Sequence, residues 1–398
     1  MNFKTPLTTT GKHLRTSAAR AMSLLPGSSA QFGPPRREAD TLSVNDASAL
    51  IRHPILPARS SLRPAAELAD PPLDRMRQPC EARIKEVFVA ELPQGRYWGR
   101  YHGYIIDRND TLLTDLSPTF TRAGQRHDGL NQPKLPPLRE MPGTVAVINT
   151  LFSSNFHHWL LDTMPRLEWL RRGGWKWADI DAFIFPSELL RFHLETLEIL
   201  GIDPEKVICS RDDLHLRAGR LLVPCHSEPA AQPGEYDYTP EGLRFVRGIV
   251  LEGNSFLQEK HPRRIIVSRE RAKSRRLVQA LRANQLLFDQ GFEKVLLEDY
   301  SVQEQAAFFH HAECVVMPTG GNLANFVFCR PGTVAVELFS RNYVPPFTHA
   351  FMGEIGLRYY GVVTETISRP HPDARGNDED IDVDPDRLAG IVRQALAS

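Results

Sequence analysis

The chain has 398 residues, more than one hydrophobic core usually serves, so two lobes are expected. Lys plus Arg and Asp plus Glu number 48 each, a balance that excludes a protein held to nucleic acid by a strong overall positive field. No apolar run approaches the roughly 18 residues of a membrane span, and five cysteines, far apart and without a CxxC pair, suggest neither a disulfide framework nor a zinc site, so a reducing cytoplasm fits.

Residues 1–80 differ in composition from the rest of the chain, with Pro34-Pro35, Pro71-Pro72 and many Ser, Ala and Arg, and are expected to form a flexible tail. Its first 37 residues hold Lys4, Lys12, Arg15, Arg20, Arg36 and Arg37 with no acid. Such an arm suits organelle targeting or peripheral association with a membrane surface, and a disordered basic arm is the simpler reading. From Ile84, short runs such as KEVFVAEL and GRYWGRYHGYIID predict strands. Gly143 to Ile148 reads as an apolar strand, and a helical run begins at Asn155. Phe183 to Pro186 and Leu221 to Pro224 extend the strand and helix alternation, with a helix through Leu189 to Leu200 and another over Gly242 to Leu257. A lobe over 81–258 therefore ends near residue 258. The second lobe, 259–365, alternates RRIIVSRE, a helix over Leu277 to Gln290, KVLLED, a helix over Val302 to Ala312, and the stretch Cys314 to Phe339. Residues 366–398 carry an acidic loop and a last helix, Arg387 to Ala397, opened by Asp384-Pro385. The fold class is α/β, two Rossmann-like lobes with a cleft.

Three places carry residues with chemistry to offer. In Cys314 to Phe339 an apolar strand breaks at Thr319-Gly320-Gly321-Asn322, where open α/β sheets bind ligands, and the glycines let backbone approach a ligand closely. Leu323 to Cys329 reads as two helical turns holding Asn325, and Glu337 is the one acid of the next strand. That acid needs donors, for which a ribose diol and a buried protein group are equal candidates. On the helix after Asn155, helical spacing sets His158, Asp162 and Arg166 on one stripe, with His157 adjacent. A His and carboxylate pair there serves either as a general base or as a surface ion pair. Ser268-Arg269 ends a strand with Arg275 close behind, a position for guanidinium forks on a diphosphate or for a solvated basic loop.

These same residues carry a resemblance to glycosyltransferase family 61. NFHHWLLDTMPRL is similar to the family's His-Trp-Leu helix motif, IIVSRERAKSRRLVQ to its Ser-Arg segment, and TGGNLANFVFCRPGTVAVELF to its glycine-turn stretch, within roughly residues 84–365. The resemblance implies a GT-B-like fold with a central cleft, an acceptor side over 81–258 and a nucleotide-sugar donor side over 259–365. It further implies inversion at the anomeric carbon, no bound metal and no cofactor. Asp162 falls on the family's acidic position, Arg269 on its Arg, and Asn325 and Glu337 on its Asn and Glu. The expected catalytic residues are Asp162 and His158. The expected substrate-binding residues are Asn155, His157, Arg269, Arg275, Gly320, Gly321, Asn325 and Glu337. A glycan or lipid-linked glycan is the implied acceptor, with polysaccharide biosynthesis of the bacterial capsular type as the setting. Thr319, Asn322 and Gln279 depart from the family pattern, and Thr319 and Asn322 favour the competing reading, a non-catalytic relative that binds a nucleotide sugar or glycan as a partner protein. A nucleotide-sugar epimerase is the third reading.

Overall fold

The computed structural model describes residues 35–63, 68–70, 80–100, 103–117, 119, 127–131, 134–225, 238–344, 347–364 and 378–398. Two sheets organise them. In the first, four parallel strands lie in the order Val207–Cys209, Ala182–Phe185, Arg139–Val147 and His215–Pro224. Ala182–Phe185 is buried throughout, as is Val145 to Val147, which is why these runs are apolar on both faces. The strand order reverses between Arg139–Val147 and His215–Pro224. Open α/β sheets leave a crevice at such a reversal, beyond the carboxyl ends of the strands. Past His215–Pro224 the sheet turns antiparallel, taking in Val87–Pro93, Arg96–Trp98, Tyr104–Ile106 and Thr111–Leu113.

The second sheet has six strands, all parallel, in the order Glu293–Val295, Arg264–Val267, Cys314–Pro318, Val334–Phe339, Arg358–Val363 and Leu68–Asp70. Its order reverses between Arg264–Val267 and Cys314–Pro318, so the residues after these two strands flank its crevice. One face packs Ile266, Val316 and Val336 under Ala283, Leu287, Leu388 and Val392 of the helices Ala280–Phe288 and Pro385–Ala397. The other face joins a hydrophobic cluster that runs from Val145 and Phe183 of the first sheet through Trp159 and Leu160 to Met317 and Phe326. The two sheets thus share a core. Each fully buried side chain of this kind contributes on the order of 1.5–3 kcal/mol.

Several expectations need correction. Residues 1–34, 64–67 and 71–79 lie outside the described residues, but Arg37–Ala39 pairs with Thr111–Leu113, and Ile51–Leu56 pairs with Val87–Pro93. These segments are strands rather than flexible tail. Pro54 disguises the second of them, because proline is tolerated only on edge strands and at bulges, and the register slips between Pro54 and Leu56. Leu68–Asp70 completes the second sheet, so the lobe over 259–365 is not contiguous in sequence. The last helix, with Asp384 accepting from the Arg387 N–H at 2.8 Å, packs on the same sheet. The helix expected from Leu277 starts instead at Ala280, and Leu277 bridges Ile381. Arg275 (φ +57°) and Gln279 (φ −97°, ψ 38°) are outside helical geometry, which delays the start. Among the described residues no helix is long and apolar enough to cross a membrane.

Candidate active site

Beyond the carboxyl end of Arg139–Val147 the chain enters the helix that carries His158. Asn155 is extended (φ −97°, ψ 135°) and its Oδ1 accepts the His157 N–H at 3.0 Å, so its side chain caps the helix. After Phe156–His158 comes a π-helical turn, Trp159–Thr163, in which the Met164 N–H donates to the Trp159 carbonyl five residues back. Pro165 supplies the reason. It has no N–H to continue the ladder, and its ring would strike the carbonyl of Leu161 in a regular helix, so one extra residue per turn relieves the clash. His158 Nδ1 lies 2.6 Å from Asp162 Oδ2. The expected third member of the stripe is displaced, since an added residue rotates everything after it by about 100°. Arg166 is 1% exposed and donates to the Val147 carbonyl at 3.0 Å, with burial pulling its pKa down to about 10.

An ionised carboxylate only accepts, so the His158 to Asp162 contact requires the proton on Nδ1 and leaves the lone pair on Nε2. Both side chains are reached by solvent, at 23% and 15% exposure. Phe152 stands beside them, its ring centroid 5.2 Å from that of His158 and the residue 45% exposed. Its φ of +59° is a left-handed conformation that costs a non-glycine residue on the order of 1–3 kcal/mol, and such strain concentrates at functional sites. Sequence reasoning missed Phe152, because a lone aromatic in the loop LFSSN reads as connection and its exposure is a tertiary property.

The second sheet contributes charge. Ser268 N–H bonds the Val295 carbonyl at 2.9 Å, and Arg269 follows at the strand's end. Arg271 and Arg276 reach carboxylates on Asp299 and Asp380, whereas among the described residues Arg269 and Arg275 make no ion pair. Arg269 makes one long bond, Nη2 to the Ser274 carbonyl at 3.4 Å, and the Nε atoms of both arginines are buried without a partner. Burial first, and the Arg275 charge second, lower the Arg269 pKa to about 10, so the guanidinium remains charged at neutral pH. The glycine turn joins the two regions. A Cβ on Gly320 would collide with Arg269 Nη1, and one on Gly321 would sit 3.2 Å from Asn155 Oδ1. Close approach, and not backbone conformation, is what calls for glycine at Gly320, whose φ of 160° is extended. The turn continues into the 3₁₀ helix Gly321–Phe328, one of whose residues is Asn325.

Three of the expected substrate-binding side chains point inward. Asn325 is fully buried and donates from Nδ2 to Gln305 Oε1 at 3.0 Å, while Gln305 in turn donates to the Leu297 and Tyr300 carbonyls. Glu337 is fully buried and accepts from the Tyr359 hydroxyl at 2.9 Å, the protein-donor alternative to a ribose. Burial and the neighbouring carboxylate raise the Tyr359 pKa well above the ordinary phenol value. His157 is buried against Tyr238, Nε2 to hydroxyl 2.8 Å, and burial followed by the nearby His158 lowers its pKa to about 3. It is neutral at any physiological pH and supports its neighbour's position. Asn155, His158, Asp162, Arg269, Arg275, Gly320 and Gly321 are the expected residues that the structure brings to the two crevices.

Among the described residues no group of three or more His, Cys, Asp or Glu is arranged to hold a metal ion. No curated protein matches the chain. Residues 156–336 match the family model described as Glycosyltransferase 61, a span that includes the His158 and Asp162 pair, both guanidiniums and the glycine turn. The segment assembled around these groups is similar to glycosyltransferase family 61, and the protein that carries it is a glycosyltransferase.

Proposed function

We propose that the protein is an inverting, metal-independent transferase that moves a sugar from a nucleotide-sugar donor to a hydroxyl of a glycan or lipid-linked glycan, in polysaccharide biosynthesis of the bacterial capsular type. The observation that carries this reading is the Gly320-Gly321 turn, which touches the Arg269 guanidinium on one side and the Asn155 cap of the His158 helix on the other. The donor diphosphate lies against Arg269 and Arg275, and the acceptor hydroxyl lies at His158 Nε2. As the hydroxyl oxygen bonds the anomeric carbon, its proton passes to Nε2 and the bond from that carbon to the phosphate oxygen breaks. The leaving diphosphate takes the electron pair and is met by two guanidiniums. These supply the positive charge for which a cation is the common alternative. Asp162 holds His158 in the required tautomer and stabilises the imidazolium that forms. Attack from the face opposite the leaving group, in one displacement, inverts the anomeric centre. In this reading the two sheets act as the lobes of a GT-B arrangement, acceptor side first. We assign the reaction to the cytoplasm, on the support of the widely separated cysteines, with peripheral association at a membrane surface where the acceptor is lipid-linked, on the support of Lys4, Lys12, Arg15 and Arg20 in the sequence.

Incubation with a panel of nucleotide sugars, with and without glycan acceptors, tests this directly. Acceptor-dependent release of nucleotide from one donor, with product of inverted configuration by NMR, is expected. Donor binding without release across the panel would instead support a non-catalytic sugar-nucleotide-binding protein.

A further inference from the structure

At the far end of the first sheet, four arginines from four separate segments meet at one cavity of about 550 Å³. Arg36 precedes the first strand, Arg96 lies in Arg96–Trp98, Arg108 in the turn before Thr111–Leu113, and Arg217 in His215–Pro224. Asp110 is the one carboxylate among the described residues that line it. Four guanidiniums against Asp110 in the lining and Glu140 beside it leave an excess of two positive charges. The Arg217 to Glu140 ion pair, 3.0 Å, fixes the cavity at the beginning of Arg139–Val147, whereas His158 follows that strand's end. Seven residues at about 3.3 Å each separate the two ends by more than 20 Å, so this is not part of the reaction centre.

Its construction is costly without a ligand. Arg96 is 3% exposed and pairs with Asp110, which also holds Arg36 at 3.5 Å. Burial outweighs the ion pair on both sides, lowering the Arg96 pKa, with Arg217 adding to the effect, and raising that of Asp110. Asp110 sits at φ +62°, a conformation aspartate tolerates, and so brings its carboxylate to both arginines from a tight turn. A volume of this size is within the range of small-molecule sites and exceeds what a single water or halide needs. Planar guanidiniums converging from several directions match the tetrahedral faces of phosphoryl groups.

We propose that this cavity binds a multivalent phosphate ester, a phosphomonoester or diphosphate, at a site separate from the donor crevice. The phosphate belongs either to a soluble molecule or to a phospholipid headgroup, and the chemistry of recognition is the same.

Calorimetric titration with pyrophosphate in low-salt buffer tests the site on the full chain. Because Arg269 and Arg275 are themselves proposed to take a diphosphate, the titration is made on the Arg269→Ala protein, which leaves the cavity untouched. Pyrophosphate is expected to bind there, weakened about tenfold or more by Arg108→Gln with Arg217→Gln, the scale of losing charge-assisted bonds, and tightened by Asp110→Asn. The opposite signs separate recognition from a folding defect, and a thermal melt confirms that each variant is folded. No binding to the Arg269→Ala protein, or an isotherm unmoved by the double arginine change, overturns the proposal and leaves the donor-site assignment standing. Loss of pyrophosphate binding in Arg269→Ala that is intact in the double arginine variant does the same. Flotation with phosphatidic acid vesicles then separates the sources: co-flotation that depends on Arg108 and Arg217 identifies a lipid headgroup, and its absence beside intact pyrophosphate binding identifies a soluble ligand.

Discussion

The crevice beyond the first sheet and the one beyond the second are built from the same topological device and hold opposite chemistry. Beyond Arg139–Val147 stand an imidazole and a carboxylate already engaged with one another, both in reach of solvent. Beyond Arg264–Val267 stand two guanidiniums with no ion-pair partner among the described residues, while Glu337 and the Nδ2 of Asn325 are bonded inside and Asn325 Oδ1 is buried with no partner among the described residues. One crevice is equipped to move a proton and the other to receive negative charge. A sugar transfer needs both, and the glycine turn touches a residue of each.

The largest effect expected from breaking this division is on turnover. His158→Ala removes the group whose Nε2 is available and should lower kcat by about 10²–10⁴, with Asp162→Asn losing somewhat less because the imidazole remains. Nucleotide affinity should be unchanged in both, measured by calorimetry beside steady-state rates. If Asp162→Asn is the more damaging of the two, the carboxylate itself is the base. Next in size, Arg269→Ala should cost on the order of 1.5–3 kcal/mol of nucleotide binding, tenfold or more in Kd. Gly320→Ala should reproduce most of that loss, since its methyl would displace the guanidinium, whereas Gly321→Ala, at 3.2 Å from Asn155 Oδ1, should be milder.

The buried polar pairs sharpen the contrast from the other side. Gln305→Ala strands the Asn325 amide in the interior and should cost about 1–3 kcal/mol of stability in urea unfolding, with nucleotide affinity retained. If affinity falls in step with Arg269→Ala, Asn325 belongs to the binding surface after all. The smallest effect is one of pH. His157 stays neutral when folded, with a pKa near 3, and is protonated near 6.5 when unfolded, so the unfolded chain binds the extra proton between these values. Its contribution is complete above pH 6.5 and is lost as pH falls, by at most about 1.4 kcal/mol for the first unit below. The pH slope of stability in wild type minus that in His157→Gln reads this directly.

The strand and helix alternation, the helix starts at Asn155 and at Asp384-Pro385, and the charged strand end at Arg269 were legible in the sequence because each rests on local chemistry. The His158 and Asp162 pair was legible as a helical spacing, but Arg166 was not. A π turn forced by Pro165 changes the register without changing composition. The inward fate of Asn325 and Glu337 depends on Gln305 and Tyr359, residues 20 and 22 positions away, and pattern along the chain carries no trace of it. Phe152 and the arginine cavity are likewise products of convergence, the latter drawing on residues 36 to 217.

The sixth strand of the second sheet has a consequence in time. Leu68 pairs with Tyr360, so 292 positions of chain must be made before the strand Leu68–Asp70 has a partner to join. At a synthesis rate of about 5–20 residues per second this is a wait of roughly 15–60 seconds. Throughout that interval the second sheet cannot close, and a nascent chain carries the early segment as an unmatched edge. Slowing the ribosome before it reaches the codons for Arg358–Val363 would lengthen exposure of that edge. Supplying residues 35–84 as a separate polypeptide after release would ask whether the strand can dock late, or must already be tethered when its neighbour emerges.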